Sequence, residues 1–227
     1  MNNAGTAQSR SGLLGLLLGR RSVAALEEPA PTEEELGLIL DAGLRAPDHG
    51  RLRPWRFVLI RGAAREALGD CLVAAAKRRD ASTPQALLDR YRAWPLRTPL
   101  LIAVGAAVRP AHVIPEIEQV LSAGAAAMNM LNAIHLLRYG GIWVTGANTY
   151  DPEVNAALGF ERPSRLVGFL MVGTPKNSAT VERPGRTQHV VEWTAPLRAT
   201  GAAVRTVEQK AAARSDRRIG GARLYPE

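Results

Sequence analysis

Cysteine is almost missing from this sequence. Cys71 stands alone among 227 residues, which excludes an intramolecular disulfide and any Cys-based metal cluster. A core or half-buried thiol is expected there rather than a nucleophile, and a reducing cytoplasm fits such cysteine usage. Long hydrophobic runs are also missing. The apolar stretch near the start, Leu13 to Leu18, meets Arg20 and Arg21 almost at once. A membrane-spanning helix needs about 20 apolar residues. No small-residue cleavage site follows in signal-peptide fashion, so the stretch reads as a first buried helix rather than a targeting element. Several chemical signatures are absent too: G-x-G-x-x-G, the P-loop, H-E-x-x-H, C-x-x-C and G-x-S-x-G. The four histidines, His49, His112, His135 and His189, are scattered without a metal-ligand neighbour at helical spacing. Hydrolysis by a metal or by a nucleophilic serine therefore has no support.

What is present suits a globular chain. Hydrophobic residues make up 46% and charged residues 22%, enough to bury one proper core. The net charge of +8 is uneven: residues 195–227 hold seven Lys/Arg against three acids, half of the excess. The remainder is only mildly basic, so the charge argues poorly for nucleic-acid binding. The expected organisation is a frayed segment 1–10, one domain over 11–194, and a basic tail or dimer arm over 195–227.

Periodicity and turn chemistry place the elements. Ser11 can cap a helix through Leu13, Leu14, Leu17 and Leu18 to Arg20. Thr32 followed by Glu35 has capping-box spacing, and Leu36, Ile39, Leu40 and Leu44 recur at helical period until Ala46-Pro47. Trp55 to Arg61 reads as a strand, Ala63 to Arg79 as a helix, and a further helical stretch ends near Trp94. Pro99 to Val104 is a short continuous apolar run, as in a strand buried on both faces. The longest helix spans Ile117 to Tyr139, with its apolar positions at Ile117, Leu121, Met128, Leu131 and Ile134. Small residues at 124–127 would admit a helix or a partner subunit closely. Gly140-Gly141 should end that helix, and Ile142 to Val144 should begin a strand. A short helix over Pro152 to Leu158 and a strand over Leu166 to Val172 complete the order. About three helices interleave with about four strands, in an α+β or mixed α/β arrangement.

Three clusters could hold a ligand. Gly19 to Ser22 (G-R-R-S) offers two guanidiniums and a hydroxyl just past a helix end, matching phosphate oxygens; the plain alternative is cations at a helix C-terminus. Arg45 to Trp55 (R-A-P-D-H-G-R-L-R-P-W) puts cations, an imidazole and an indole on a loop, or is simply a Pro-Trp packing corner. Gly140 to Gly146 (G-G-I-W-V-T-G) combines close backbone approach with a tryptophan able to flank a planar ligand, or forms a tight turn with a core indole.

In this order the motifs resemble the nitroreductase superfamily, and specifically its small YdjA-like branch. The resemblance runs over about residues 12 to 194 through L-L-x-x-R-R-S-V, E-P-A-P-T, L-R-A-P-D-H, P-W-R-F-V-L-I, S-A-G-A-A-A-M-N-M, G-G-I-W and V-G-F-L-M-V-G-T-P. It implies an α+β three-layer sandwich around a mainly antiparallel sheet, assembled as an intertwined homodimer with two FMN sites at the interface. Arg20, Arg21 and Ser22 match the family's flavin phosphate and ribityl contacts. Arg45 and His49 match further FMN contacts, with the second subunit as a source. Trp143, Val144 and Thr145 match the segment along the flavin. Ala133, Ile134, His135, Leu136, Leu137 and Arg138 match a proposed NAD(P)H contact.

The implied activity is ping-pong transfer of reducing equivalents from NADH or NADPH, by way of FMN, to small electrophilic acceptors such as nitroaromatics or quinones. His49 and Thr145 are the nearby groups able to move a proton, and both match flavin hydrogen-bond partners, so no catalytic side chain is assigned. Two positions depart from the pattern. Arg53 stands where many nitroreductases have an amide before Pro-Trp, and Val144 stands where some relatives are basic. The rival readings are a flavin reductase of another bond, in an enone or halogenated ring, and a non-catalytic binding protein with a basic tail.

Overall fold

The computed structural model describes residue 12, residues 14–177 and residues 183, 185, 189 and 190. Two units are distinguished along the chain, Met1–Val181 and Glu182–Glu227, and every element below belongs to the first. The expected cap Ser11, the expected helix residue Leu13, the frayed segment 1–10 and the basic tail beyond Ala195 lie outside the described residues.

Residues 14–18 are helical and turn at Gly19. The strands are β1 (Leu26–Glu27), β2 (Trp55–Arg61), β3 (Leu100–Ala106), β4 (Gly140–Val144) and β5 (Arg165–Pro175). Further helices are α1 (Glu33–Gly43), α2 (Ala64–Arg79), α3 (Gln85–Ala93), α4 (Glu116–Leu136) and α5 (Pro152–Ala157). The described chain is thus richer in elements than the three or so helices and four strands expected. Every strand pairing is antiparallel. β5 is the hub, bonded to β3 and β4 and, at its end, to β1, while β2 flanks β3.

The two faces of β3 define the layers, because successive side chains alternate across a sheet. Leu101 and Ala103 join Phe169, Met171, Leu68 and Leu72 on the α2 side. Leu100, Ile102 and Val104 join Leu36, Ile39, Met130, Leu131 and Ile134 on the α1–α4 side. All seven β3 residues are buried, as a continuous apolar run requires. The expected α+β sandwich with an antiparallel sheet is therefore the observed fold.

Local signals explain several boundaries. The Thr32 hydroxyl accepts from Glu35 N–H, and the Glu35 carboxylate accepts from Thr32 N–H at 2.9 Å. Such a capping box contributes about 1 kcal/mol. Tyr139 O–H adds a 2.8 Å bond to the same carboxylate. The Thr32 backbone N–H, Tyr139 and the Thr32 hydroxyl together hold Glu35 below the usual carboxylate range.

The long helix departs from expectation at its end and on one face. It stops at Leu136, and Arg138 adopts the left-handed φ of 70°. Arg138 N–H donates to the His135 carbonyl and Tyr139 N–H to the Ile134 carbonyl, both at 3.0 Å. This is a Schellman closure with arginine where glycine is usual. Gly140 and Gly141 are consequently free to enter β4, where Cβ atoms would crowd Leu26 and Ile134. The expected apolar positions Ile117, Leu121 and Met128 are exposed, while Ala123, Ala126, Ala127 and Met130 form the buried face with Leu131 and Ile134. Alanines let the middle of α4 lie close to the sheet, while Ile117, Leu121 and Met128 are turned outward. Among the described residues, no helix is long and apolar enough to cross a membrane.

Candidate functional site

Two of the three sequence clusters meet at one end of α4. Val23 N–H donates to the Gly141 carbonyl at 3.1 Å, tying the segment after Ser22 to the start of β4. His135, in the last turn of α4, places its ring Nε2 at 2.9 Å from the Leu16 carbonyl, just before Gly19. The segment Arg20 to Ser22 therefore runs beside the helix–strand connection that also leads into Trp143, Val144 and Thr145.

Trp143 is half-buried and pairs with Leu170 in the sheet. Its indole packs over Gly168, where a Cβ would collide with Nε1, and a Cβ at Gly124 would lie 3.6 Å from its outer edge. Glycine at 168, with φ of 156°, thus seats the ring. Thr145, just past the strand, is exposed. Polar atoms here are left in want of partners: Arg21 Nε, Asn132 Oδ1 and Trp143 Nε1 are buried without a hydrogen bond. A buried unsatisfied donor or acceptor costs about 1–3 kcal/mol, so a missing polar partner is the economical explanation. Asn132 has no signature in the sequence, since an amide in a helix interior carries no pattern that would betray it.

The Ala133–Arg138 stretch divides by burial. Ile134 is fully buried, and Ala133 and Leu137 pack against the same core. Leu136 and Arg138 are exposed, and His135, like Ala133 and Leu137, is half-buried, so of the six only Ile134 is closed to an outside ligand.

The third cluster lies elsewhere. His49 Nδ1–H donates to the Glu118 carboxylate at 2.8 Å, and the Ser122 hydroxyl donates to the Pro47 carbonyl at 2.8 Å. Both contacts fall in the first half of α4, whereas His135 lies in its last turn. The 17 residues from Glu118 to His135 separate them by about 25 Å at 1.5 Å per residue. Within one chain, then, His49 lies well away from Arg20, Arg21 and Ser22, while the residues beside Arg45, Gly43 and Ala46, pack nearer the middle of α4 against Met130 and beside Ala123 and Ala126. Arg45 is exposed, and Trp55 is a core residue beside Ala106, Ala123 and Ala126; for that tryptophan the packing-corner reading holds. Arg51 and Arg53 take left-handed φ values of 56° and 48°, and Asp48 braces the turn by accepting from Arg53 N–H at 2.8 Å. The hollow between this loop and α4, lined by His49, Leu52, Ile114 and Glu118 among others, is a shallow surface dent that encloses no cavity. Pockets that enclose a cofactor run from roughly 300 Å³ upward.

The chain's likeness to known proteins agrees with this geometry. A family model described as the nitroreductase family matches residues 17–174. The chain belongs to the nitroreductase family. It is 42% identical over 179 residues to YdjA of Escherichia coli K12, covering 78% of this chain and 97% of the relative, which carries the provisional name of an NAD(P)H nitroreductase. A Haemophilus influenzae protein with the same provisional name is 31% identical over 170 residues, covering 74% of this chain and 91% of its own. Among solved structures, a nitroreductase-like protein of Desulfovibrio desulfuricans in complex with FMN superimposes with a TM-score of 0.63 at 26% identity, over 81% of this chain and 98% of that one.

Proposed function

We propose that this chain is an FMN-dependent oxidoreductase that takes reducing equivalents from NADH or NADPH and passes them to small electron-poor acceptors, with nitroaromatics or quinones as the acceptor class. Family membership, the NAD(P)H nitroreductase names of its relatives and the FMN-bound neighbour support the reading. One observation in the chain itself carries it: Arg21 and Trp143 bury unpartnered polar atoms on two segments joined by the Val23–Gly141 hydrogen bond.

Those residues fit the cofactor. Arg20 and Arg21 would grip the phosphate with forked N–H donors, and Ser22 would add a hydroxyl toward the ribityl chain. Trp143, Val144 and Thr145 would run along the ring system. FMN, when bound, supplies the hydride chemistry; the protein holds it, keeps one face open and excludes bulk water. No general acid is assigned.

The site is proposed to be completed by a second copy of the chain. His49 meets α4 at Glu118 and the clamp meets it at His135, about 25 Å apart along the helix axis, so a flavin gripped at Arg20 is better placed to meet the His49 loop of a second chain. The outward face of α4, with Ile117 and Leu121 each 63% exposed and Met128 at 42%, suits the self-complementary contact of a two-fold dimer. Such an enzyme would work in the cytoplasm, where an unpaired Cys71 is at ease.

The direct test is spectroscopic. Purified chain saturated with FMN and desalted should keep a flavin absorbance of one equivalent per chain, and anaerobic NADH or NADPH should bleach it. A colourless protein would overturn the proposal, and the faster of the two donors would identify the physiological nicotinamide.

A further inference from the structure

The three residues proposed to hold the FMN phosphate and ribityl chain are suspended between two anchors. Downstream, Val23 is bonded to the Gly141 carbonyl. Upstream, the helical residues 14–18 close with Gly19 N–H donating to the Gly15 carbonyl at 2.9 Å and the Leu16 carbonyl at 3.1 Å. The Leu16 oxygen receives a second bond from far along the chain, since His135 Nε2 lies 2.9 Å away across 119 residues of sequence. A carbonyl oxygen only accepts, so Nε2 carries the proton and donates. The last carbonyls of a helix have no partner within it, and a histidine can supply one.

Among the described residues, the side chains of that helical turn are mostly exposed, Leu16 being half-buried. Leu14, Leu17 and Leu18 are 57%, 41% and 74% exposed, so their burial contributes only a fraction of what a core leucine would. The hydrogen bond from His135 is thus a directional restraint on a turn whose side chains are only partly buried. We propose that His135 is a positioning residue for the phosphate clamp: by capping residues 14–18 at the Leu16 carbonyl, it sets where Arg20 and Arg21 present their guanidiniums. This rests on the proposal that Arg20 to Ser22 hold the FMN phosphate. It also gives His135 a different task from contact with a nicotinamide, because Nε2 is already committed to the chain.

The test uses the full-length chain, freed of flavin and titrated separately with FMN and with riboflavin, which lacks the phosphate. His135→Leu removes the donor. His135→Gln keeps an N–H near the place of Nε2, and His135→Asn is too short to reach and serves if the leucine variant does not fold. One net hydrogen bond corresponds to about fivefold in affinity. The expected result is about fivefold weaker FMN binding in the leucine or asparagine variant, riboflavin binding within about twofold of wild type, and recovery of FMN binding in the glutamine variant. Unchanged FMN affinity in a wild type that does bind FMN would overturn the positioning role alone. So would equal losses for FMN and riboflavin, or a rise in the KM for NAD(P)H with FMN affinity intact. A wild type that binds no FMN would overturn the functional proposal beneath it.

Discussion

Arg21 and Asp151 are both polar residues drawn into the fold, and their accounts differ. Arg21 leaves its Nε buried without a partner, an expense the flavin-free chain carries for nothing. Replacing Arg21 by alanine should lower FMN retention about tenfold while the flavin-free melting temperature stays level or rises, measured by gel filtration with absorbance and by calorimetry. Asp151, by contrast, is fully served. Its carboxylate caps α5 through Glu153 N–H at 3.0 Å and Val154 N–H at 3.3 Å, and Arg79 donates to it directly. Burial pushes its carboxyl up, but Arg79 and those backbone donors outweigh burial and hold it below the ordinary value. The stability it contributes is complete above the unfolded pKa of about 3.9 and is lost as pH falls through the lower folded value. Asp151→Ala should cost about 3 kcal/mol in urea unfolding at pH 7, and the gap to wild type should narrow below pH 4. The Thr32 capping box was legible in sequence because its two partners are three residues apart. The bond from His135 to Leu16 was not, because no local pattern links positions 119 residues apart.

Elements were legible where one face dominates. The β3 run and the β5 run could hardly be anything but buried strands, and both are. In the long helix Leu131 and Ile134 are buried as their spacing implies, whereas Ile117, Leu121 and Met128 are exposed and alanines take the tight approach to the sheet. Size and burial part company there because close packing favours small side chains. Its end departs from expectation, since a left-handed arginine closes the helix before the glycines are reached. The outward stripe offers a direct test. Leu121→Asp with Met128→Asp places charge on surface the chain leaves exposed, so a lone chain should fold unharmed. Light scattering should show the double variant as a monomer, and FMN binding should fall with dimerisation. A dimeric variant that retains flavin would separate this face from the site.

For the whole molecule, the family resemblance supplied what spacing alone could not: three weak clusters became one proposed site. Bound FMN should stabilise the folded chain by about 2.7 kcal/mol at a concentration 100 times its Kd. Truncation after Ala195 should leave both that stabilisation and the flavin absorbance largely intact. If either vanishes, the basic tail belongs to the site.

The separation of the two clusters along α4 has a consequence in genetics. If each flavin takes its clamp from one chain and its loop from the other, a chain lacking the clamp and a chain lacking the loop fail in different halves. Alone, Arg20→Ala/Arg21→Ala and Arg45→Ala/His49→Ala dimers should both be pale. Mixed and re-paired at random, about half the dimers would be hybrids, each with one intact site and one doubly broken. Two weak alleles should therefore yellow together, recovering about a quarter of the wild-type flavin.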